Sequence, residues 1–392
     1  MKVLYHHRTQ AEDGQAVHIR ALMRAFEECG HQVDEVSLVS RAGEEGARDS
    51  EATSKSRWSW ISRVPRFVRE LMEYAYSVPA RQRIMREAAL KNPDFIYERY
   101  AFGNAGGVWA KTRLKLPLVL EVNSPMVIEL ERTRGLSFPR LAKRMEDSIF
   151  CGADLVCVVT EVLADMLVEC GVRREQLLVT PNGVHLDQYD RADPERQRRE
   201  ARRSLGVGER FDDHVVLGFV GYYRRWHRLD LALKSLVRPE LAKAVLVIIG
   251  DGPAHEELLR EAEELGVRER VFFAGPRAHG DIPDLLAAFD VALVPAINPY
   301  ASPLKLHEYM AARLAVVAPD QPNLREVLVD GDNGLLVEPG HEQAFGEALV
   351  SLVTSPERRS ALGARARATI EERDMTWTGN ARRVVAAVEA LR

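Results

Sequence analysis

Cysteine is scarce in this chain: Cys29, Cys151, Cys157 and Cys170 are its only four among 392 residues. None forms a CxxC pair and no histidine–cysteine cluster has zinc spacing, which excludes a disulfide-stapled scaffold and a zinc-finger-type site. Buried thiols are the expected state. Long apolar runs are also missing. The cleanest, such as VLVII at 245–249, are strand-length, far short of the roughly 20 residues that span a bilayer. The first ten residues, MKVLYHHRTQ, turn polar within six positions and do not read as a signal peptide, so a cytoplasmic location is expected. There is no charge excess: 54 Lys plus Arg face 58 Asp plus Glu, a net charge of −4. No global basic field exists to hold nucleic acid. No GxGxxG follows a strand pattern, which argues against a dinucleotide oxidoreductase. Lysine itself is rare, nine among the 54 basic residues.

What remains is an ordinary soluble composition, 46% hydrophobic and 29% charged. At about 150 residues per domain, the length suggests two or three domains. Short β-branched runs alternate with longer amphipathic segments. Strands are predicted at 2–6, 33–38, 95–97, 118–122, 155–159 and 177–180, with a first helix at 15–29 stopped by Gly30. The segment 187–213 is dense in charge and nearly devoid of apolar periodicity. Alternation then resumes with strands at 215–220, 245–249, 271–273, 291–294 and 315–317, and a last helix at 380–391. Such alternation means parallel sheets covered by helices on both faces. The predicted class is α/β: two doubly wound, Rossmann-like domains, 1–190 and 191–375, joined near 187–212, with a C-terminal helix at 376–392 packing back on the first. Residues 41–55 (RAGEEGARDSEATSK) read as a mobile loop. Ligands of such sheets bind outside the carboxyl ends of the strands, here in a cleft between the two domains.

The densest chemistry lies at 295–318, PAINPYASPLKLHEYMAARLAVVA. Ser302 reads as an N-cap and Pro303 as the first helical position. Lys305 then falls in the first turn, where a cation opposes the helix dipole unless an anion occupies that terminus. Glu308, three residues on, shares its face and can accept hydrogen bonds from paired hydroxyls such as those of a ribose. One helix could thus hold both ends of a nucleotide diphosphate; the bland reading is a solvated Lys–Glu pair. A second cluster follows the strand at 215–220: GYYRRWHRLD, with Arg224, Arg225, His227 and Arg228 as potential cations for phosphate oxygens. A third, Gly250-Asp251-Gly252-Pro253, is a weak signal by itself. In the first half, Glu12-Asp13-Gly14-Gln15 opens the helix that carries His18, and Gly14 could let a backbone approach a phosphate or sugar. Arg99 and Asn123 follow strands. Asn182-Gly183 reads as a turn, as does Asp330-Gly331-Asp332.

Taken together and in order, DGQAVHIRAL, LLVTPNGVHLDQY, FVGYYRRWHRLDLAL, IGDGP, SPLKLHEYMAARLAVVA and NGLLVEPG resemble glycosyltransferase family 4, retaining nucleotide-sugar transferases of GT-B fold. The resemblance covers almost the whole chain. It implies a donor held mainly by the C-terminal domain, at Gly14, Gly221, Arg225, His227, Gly250, Gly252, Ser302, Pro303, Leu304, Lys305 and Glu308. It implies an acceptor held at His18, Arg99 and Asn123, with Asn123, Lys305 and Arg225 closest to the chemistry. Glu308 matches the second Glu of the family's E-x7-E motif, while Tyr300 stands where the first would fall. Asn123 stands where many relatives carry His.

The function so implied is transfer of a hexosyl or N-acetylhexosaminyl unit from a nucleotide diphosphate sugar, UDP-linked, to an acceptor hydroxyl on a glycan, a lipid-linked sugar, a cyclitol or a natural product. The other readings are an epimerase or phosphorylase on the same fold, and a non-catalytic nucleotide-sugar sensor. Neither metal nor cofactor is expected, because basic side chains and helix N-termini can neutralise a leaving diphosphate. The segment 57–69, RWSWISRVPRFVR, is basic and aromatic. It reads either as a domain helix with its arginines in water or as a contact with an anionic membrane surface.

Overall fold

Among the described residues the first unit carries six strands, β1 (Lys2–His6), β2 (Gln32–Val36), β3 (Phe95–Arg99), β4 (Leu118–Val122), β5 (Leu155–Val158) and β6 (Leu177–Val179), in the order β2-β1-β3-β4-β5-β6. The second carries β7 (Val215–Val220), β8 (Ala244–Ile249), β9 (Val271–Gly275), β10 (Val291–Leu293), β11 (Ala315–Pro319) and β12 (Leu335–Val337), in the order β12-β11-β10-β7-β8-β9. All their pairings are parallel. This is a computed structural model; it describes residues 1–9, 14–37 and 64–392. The expectations for Glu12 and Asp13, for the loop at 41–55 and for residues 57–63 lie outside the described residues.

Strands buried on both faces need continuous apolar runs, and β3, β4 and β8 are buried at every position. The pleat sorts neighbouring residues onto opposite faces. In β8, Val245, Val247 and Ile249 enter one core of the second unit while Leu246 and Ile248 enter another. Gly218, in the middle of β7, is required by packing: a Cβ there would lie 2.0 Å from the ring of Phe289.

The units divide between Pro181 and Asn182, not within 187–212, and Asn380–Arg392 is grouped with the first unit. The charged stretch is a helix of the second unit, Pro194–Ser204, capped by Asp193, whose carboxylate accepts from the Arg196 N–H at 3.0 Å. Its buried face includes Arg202, paired with Asp290 at 2.9 Å and donating to the carbonyls of Asp212 and His214. An arginine does the work of an apolar anchor, so no apolar period marks the helix.

Strand order reverses between β1 and β3 in the first unit and between β7 and β10 in the second. The carboxyl ends beside those reversals are the expected ligand positions.

Candidate functional site

In the second unit, β7 is followed directly by Gly221 (φ 132°), and β8 by Gly250 (φ 125°). The loops after them touch through their backbones. A Cβ on Gly250 would lie 2.2 Å from the Gly221 carbonyl oxygen, and one on Gly252 would lie 1.9 Å from that of Tyr223. The Tyr223 N–H donates to the Asp251 carbonyl at 2.8 Å. The glycines of IGDGP are thus explained by close approach of two chains.

Across the strand reversal stands the helix Leu304–Ala311. Its Tyr309 hydroxyl accepts from the Val220 N–H at 2.8 Å, tying the helix to the end of β7. Lys305, half-buried, points its ammonium at the Phe219 ring, 3.8 Å from the centroid, beside the Cα of Gly221, where a Cβ would be 3.0 Å from Nζ. Desolvation pushes the Lys305 pKa down to about 7, against the opposing charge of Glu308. A cation held this way gains greatly from an arriving anion.

The expected cap is absent. The helix begins at Leu304 with Pro303 as its N-cap, because Pro303 is extended (ψ 125°) and makes no side-chain cap bond. The Ser302 hydroxyl instead accepts from the Asn182 N–H at 3.2 Å, and the Ser302 carbonyl accepts from the Asn182 side-chain amide. Asn182, read as a turn residue, is a clamp. Gly183 beside it has no room for a Cβ, which would lie 2.5 Å from the Trp377 nitrogen. Among the described residues no side chain caps the first turn that carries Lys305; the Leu306 N–H donates to the Pro303 carbonyl at 3.0 Å, and the N–H groups of Leu304 and Lys305 keep their capacity to bind an anion.

The basic loop divides. His227 is buried, its Nδ1 accepts from the Arg224 N–H at 3.0 Å, and its ring stacks on Trp226 and lies edge-on to Phe219. Burial first, and Lys305 second, push its pKa down to about 3. It is a neutral imidazole with Nε2–H as its donor, not the cation the sequence suggested. Arg225 is exposed, with Nε 3.4 Å from the Glu257 carboxylate. It lines a pocket of about 280 Å3 with Arg228, Glu257 and Glu261, a lining that does not include Lys305. Arg228 is held by Asp230 at 2.9 and 3.0 Å. Arg225, expected near the chemistry, faces another pocket from Lys305, because the turn Arg225–His227 buries the imidazole and turns the guanidinium toward the neighbouring helix His255–Glu264.

Glu308 is buried and sits 2.8 Å from His279 Nε2. Burial and then the Glu308 charge raise the pKa of the Tyr189 hydroxyl. Neither His279 nor Tyr189 was marked by the sequence, since only the fold brings them to position 308. Tyr300 is buried. In the Asp330 turn, one Asp330 oxygen accepts from the Leu336 N–H at 2.8 Å, and Asp332 pairs with Arg365 at 3.1 Å.

In the first unit, a cavity of about 550 Å3 opens beside the β1/β3 reversal, lined by Arg8, Gln15, Arg99, Asn123, Ser124 and Arg134 among others. Gly14 begins the adjoining helix, Gly14–Glu28. The three residues expected on the acceptor side converge on one carboxylate that sequence reading passed over. Glu121 of β4 accepts from Arg99 and from the Asn123 amide, and lies 3.1 Å from His18 Nε2; Tyr97 and Tyr5 donate to it at 3.0 and 3.3 Å. Burial alone would raise its pKa, but the charges of His18 and Arg99 and the bonds from His18 and Asn123 hold it below the usual carboxylate range. The signal was present: a lone carboxylate inside the run LVLEV must be paired if the strand is buried on both faces.

Among the described residues no helix is long and apolar enough to cross a membrane. A family model described as glycosyl transferases group 1 matches residues 199–369, and one for glycosyltransferase family 4 matches residues 13–188. D-inositol 3-phosphate glycosyltransferases from Stackebrandtia nassauensis and Kribbella flavida are 27% and 29% identical to this chain over 298 and 301 residues. The matches cover 72% and 71% of this chain and 66% and 68% of theirs, about two thirds of those relatives' length. The crystal structure of Anabaena HepE in complex with UDP covers 100% of both chains with a TM-score of 0.74 at 18% identity, a likeness of fold. The two family models follow one another along nearly the whole sequence and correspond to the two six-stranded parallel sheets, so the chain belongs to the glycosyltransferase family 4-like proteins of GT-B fold.

Proposed function

We propose that this protein is a retaining glycosyltransferase that moves a hexosyl or N-acetylhexosaminyl unit from a UDP-linked sugar to an acceptor hydroxyl. The observation that carries the reading is the uncapped first turn at Leu304 and Lys305, with a desolvated ammonium packed on Phe219 beside Gly221. A pyrophosphate supplies the anion such a terminus lacks. As the glycosidic bond breaks, negative charge grows on the leaving diphosphate, and preorganised donors are worth most at that moment. The Lys305 ammonium, the N–H groups of Leu304 and Lys305 and the His227 imidazole N–H supply them, so the reading requires no metal ion and no cofactor. Glu308, held by His279, accepts from the ribose hydroxyls. Gly221, Gly250 and Gly252 keep the loop backbones low enough for the donor to approach.

On the acceptor side, Asn123 and Arg99 line the first unit's cavity, and Glu121 orients both of them together with His18. The relatives from Stackebrandtia and Kribbella are named for D-inositol 3-phosphate, and HepE was solved with UDP and with UDP-glucose. These molecules therefore head the panel. The test is nucleotide release from UDP-, GDP- and ADP-sugars with and without acceptors, in buffer containing EDTA. Acceptor-dependent UDP release with the anomeric configuration kept in the product supports the reading. An isomerised sugar from donor alone supports an epimerase, and tight UDP-sugar binding without any turnover supports a sensor.

A further inference from the structure

We propose that Asn323 is a positioning residue for the nucleotide diphosphate: by holding two carbonyls of the segment 298–303 inside the fold, it aims the Ser302 N–H outward as a further hydrogen-bond donor to the phosphates. This rests on the transferase reading and adds to it a residue that prepares the anion site without touching the anion.

β10 and β11 are parallel neighbours in the sheet, so the loops that follow their carboxyl ends lie side by side. The loop after β10 runs through 298–303 into the helix Leu304–Ala311. The loop after β11 forms the single turn Pro322–Arg325, which carries Asn323. Asn323 is 1% exposed. Its amide donates to the Ala301 carbonyl at 2.7 Å and to the Asn298 carbonyl at 3.1 Å, while its Oδ1 has no partner. A buried amide oxygen left unpaired is costly. What this position uses is therefore the residue's two donors, not its acceptor.

The remaining carbonyls of the segment are held in the same manner. That of Ser302 accepts from the Asn182 amide. That of Pro303 accepts from the Leu306 N–H at 3.0 Å and lies 3.2 Å from Nδ1 of the fully buried His307. Burial pushes the His307 pKa down to about 4, so a neutral imidazole donates there from Nδ1–H. In a planar trans peptide the C=O and N–H point in opposite directions. Drawing the carbonyls of Ala301 and Pro303 inward therefore turns the N–H groups of Ser302 and Leu304 outward. Among the described residues neither of these N–H groups, nor that of Lys305, has a hydrogen-bond partner within the protein. Three unsatisfied N–H groups in consecutive non-proline residues, beside a desolvated ammonium, suit the oxygens of a diphosphate. The Pro303 carbonyl keeps the Leu306 N–H whatever happens to His307. Among the described residues the Ala301 carbonyl has no donor except Asn323, so the direction of the Ser302 N–H depends on that one side chain.

The experiment uses the whole chain with two probes, UDP and uridine, which lacks the phosphates. Asn323→Ala should weaken UDP binding by about 10-fold or more, the scale of a hydrogen bond to a charged group, and leave uridine binding unchanged. Asn323→Ser keeps one donor and should fall between the alanine variant and the unaltered chain. His307→Phe should act in the same direction but less, because the Leu306 N–H still holds the Pro303 carbonyl. Thermal melts fix the folded fraction of each variant. Amide NMR of the selectively labelled, unaltered chain reads the geometry without any substitution: UDP should move the Ser302, Leu304 and Lys305 N–H resonances downfield, and uridine should not. Equal losses for UDP and uridine, or no loss for either, overturn the proposal. So does a Ser302 N–H resonance that UDP leaves where it was, and in that case tight UDP binding and sugar transfer by the unaltered chain show that the transferase reading stands. If UDP binds the unaltered chain no more tightly than uridine, no diphosphate is held at this helix, and the transferase reading has failed together with the proposal.

Discussion

The ammonium of Lys305 lies 3.8 Å from the centre of the Phe219 ring. Phe219 is buried in the β7 strand, and Lys305 stands on the first turn of a helix from across the strand reversal. The ring face offers the cation a partial counter-charge without consuming the site that a phosphate would fill. This arrangement explains why a chain that otherwise favours arginine keeps a lysine here. A compact ammonium fits over the ring beside Gly221, whereas a longer planar guanidinium would have to displace one of them.

Lys305→Ala should therefore lower kcat by about 10²-fold or more, the scale of one lost donor to a developing oxyanion, and Lys305→Arg should recover only part. Because the stem packs on Phe219, both variants should also shift the melting temperature, unlike a change in open solvent. Turnover lost only in proportion to the unfolded fraction would make the lysine structural.

The depressed Lys305 pKa gives two pH signatures. Between about 7 and the usual lysine range near 10.4, the unfolded chain binds more protons at this position than the folded one, so stability of the free protein should rise with pH across that window. Lys305→Met should flatten the rise. A bound diphosphate restores the charge, so UDP binding at pH 8 should take up a proton. Calorimetry in buffers of different ionisation enthalpy reads that uptake, which should vanish in Lys305→Met.

Gly252→Ala drives a Cβ to within 1.9 Å of the Tyr223 carbonyl oxygen, a backbone atom that cannot rotate aside. The expected cost is about 1–3 kcal/mol, together with weaker UDP binding as the two loops part. Gly280→Ala, whose Cβ meets nothing within 4 Å, is the matched control and should stay within about 0.5 kcal/mol. Equal melts for the two variants would sink the close-packing account.

Glu121→Gln leaves Arg99 and His18 without their buried counter-charge. Breaking such a pair costs about 3–5 kcal/mol, so this variant and Arg99→Ala should lose stability as well as turnover. Asn123→Ala removes a neutral donor and should lower kcat with a smaller shift in the melt. With its folded pKa depressed, Glu121 contributes stability above its ordinary value of about 4.3 that is lost as pH falls below it. Acid titration of stability should be shallower in Glu121→Gln.

Glu308→Gln should raise the donor KM by about 10-fold or more, since bonds to a charged group are worth about 1.5–3 kcal/mol. His279→Ala removes the partner 2.8 Å away and should act in the same direction but more weakly, because the carboxylate stays. An unchanged donor KM in both variants would remove Glu308 from the ribose.

The sequence by itself determined the alternation of strands and helices, because strands buried on both faces leave unbroken apolar runs that survive as local pattern. It also determined the position of Lys305 and Glu308 on one helix face, since three-residue spacing is a local property. The tertiary structure decided which polar groups meet. Glu121 draws His18, Arg99 and Asn123 from separate elements; His279 reaches Glu308 across 29 residues of chain; Ser302 answers to Asn182, 120 residues away, instead of capping its own helix. It also decided that the charged stretch after Asp193 is a helix, because a buried arginine leaves no apolar period to read. Local periodicity reports what a strand or helix buries; which distant partner satisfies a buried charge is fixed only when the strands take their order in the sheet.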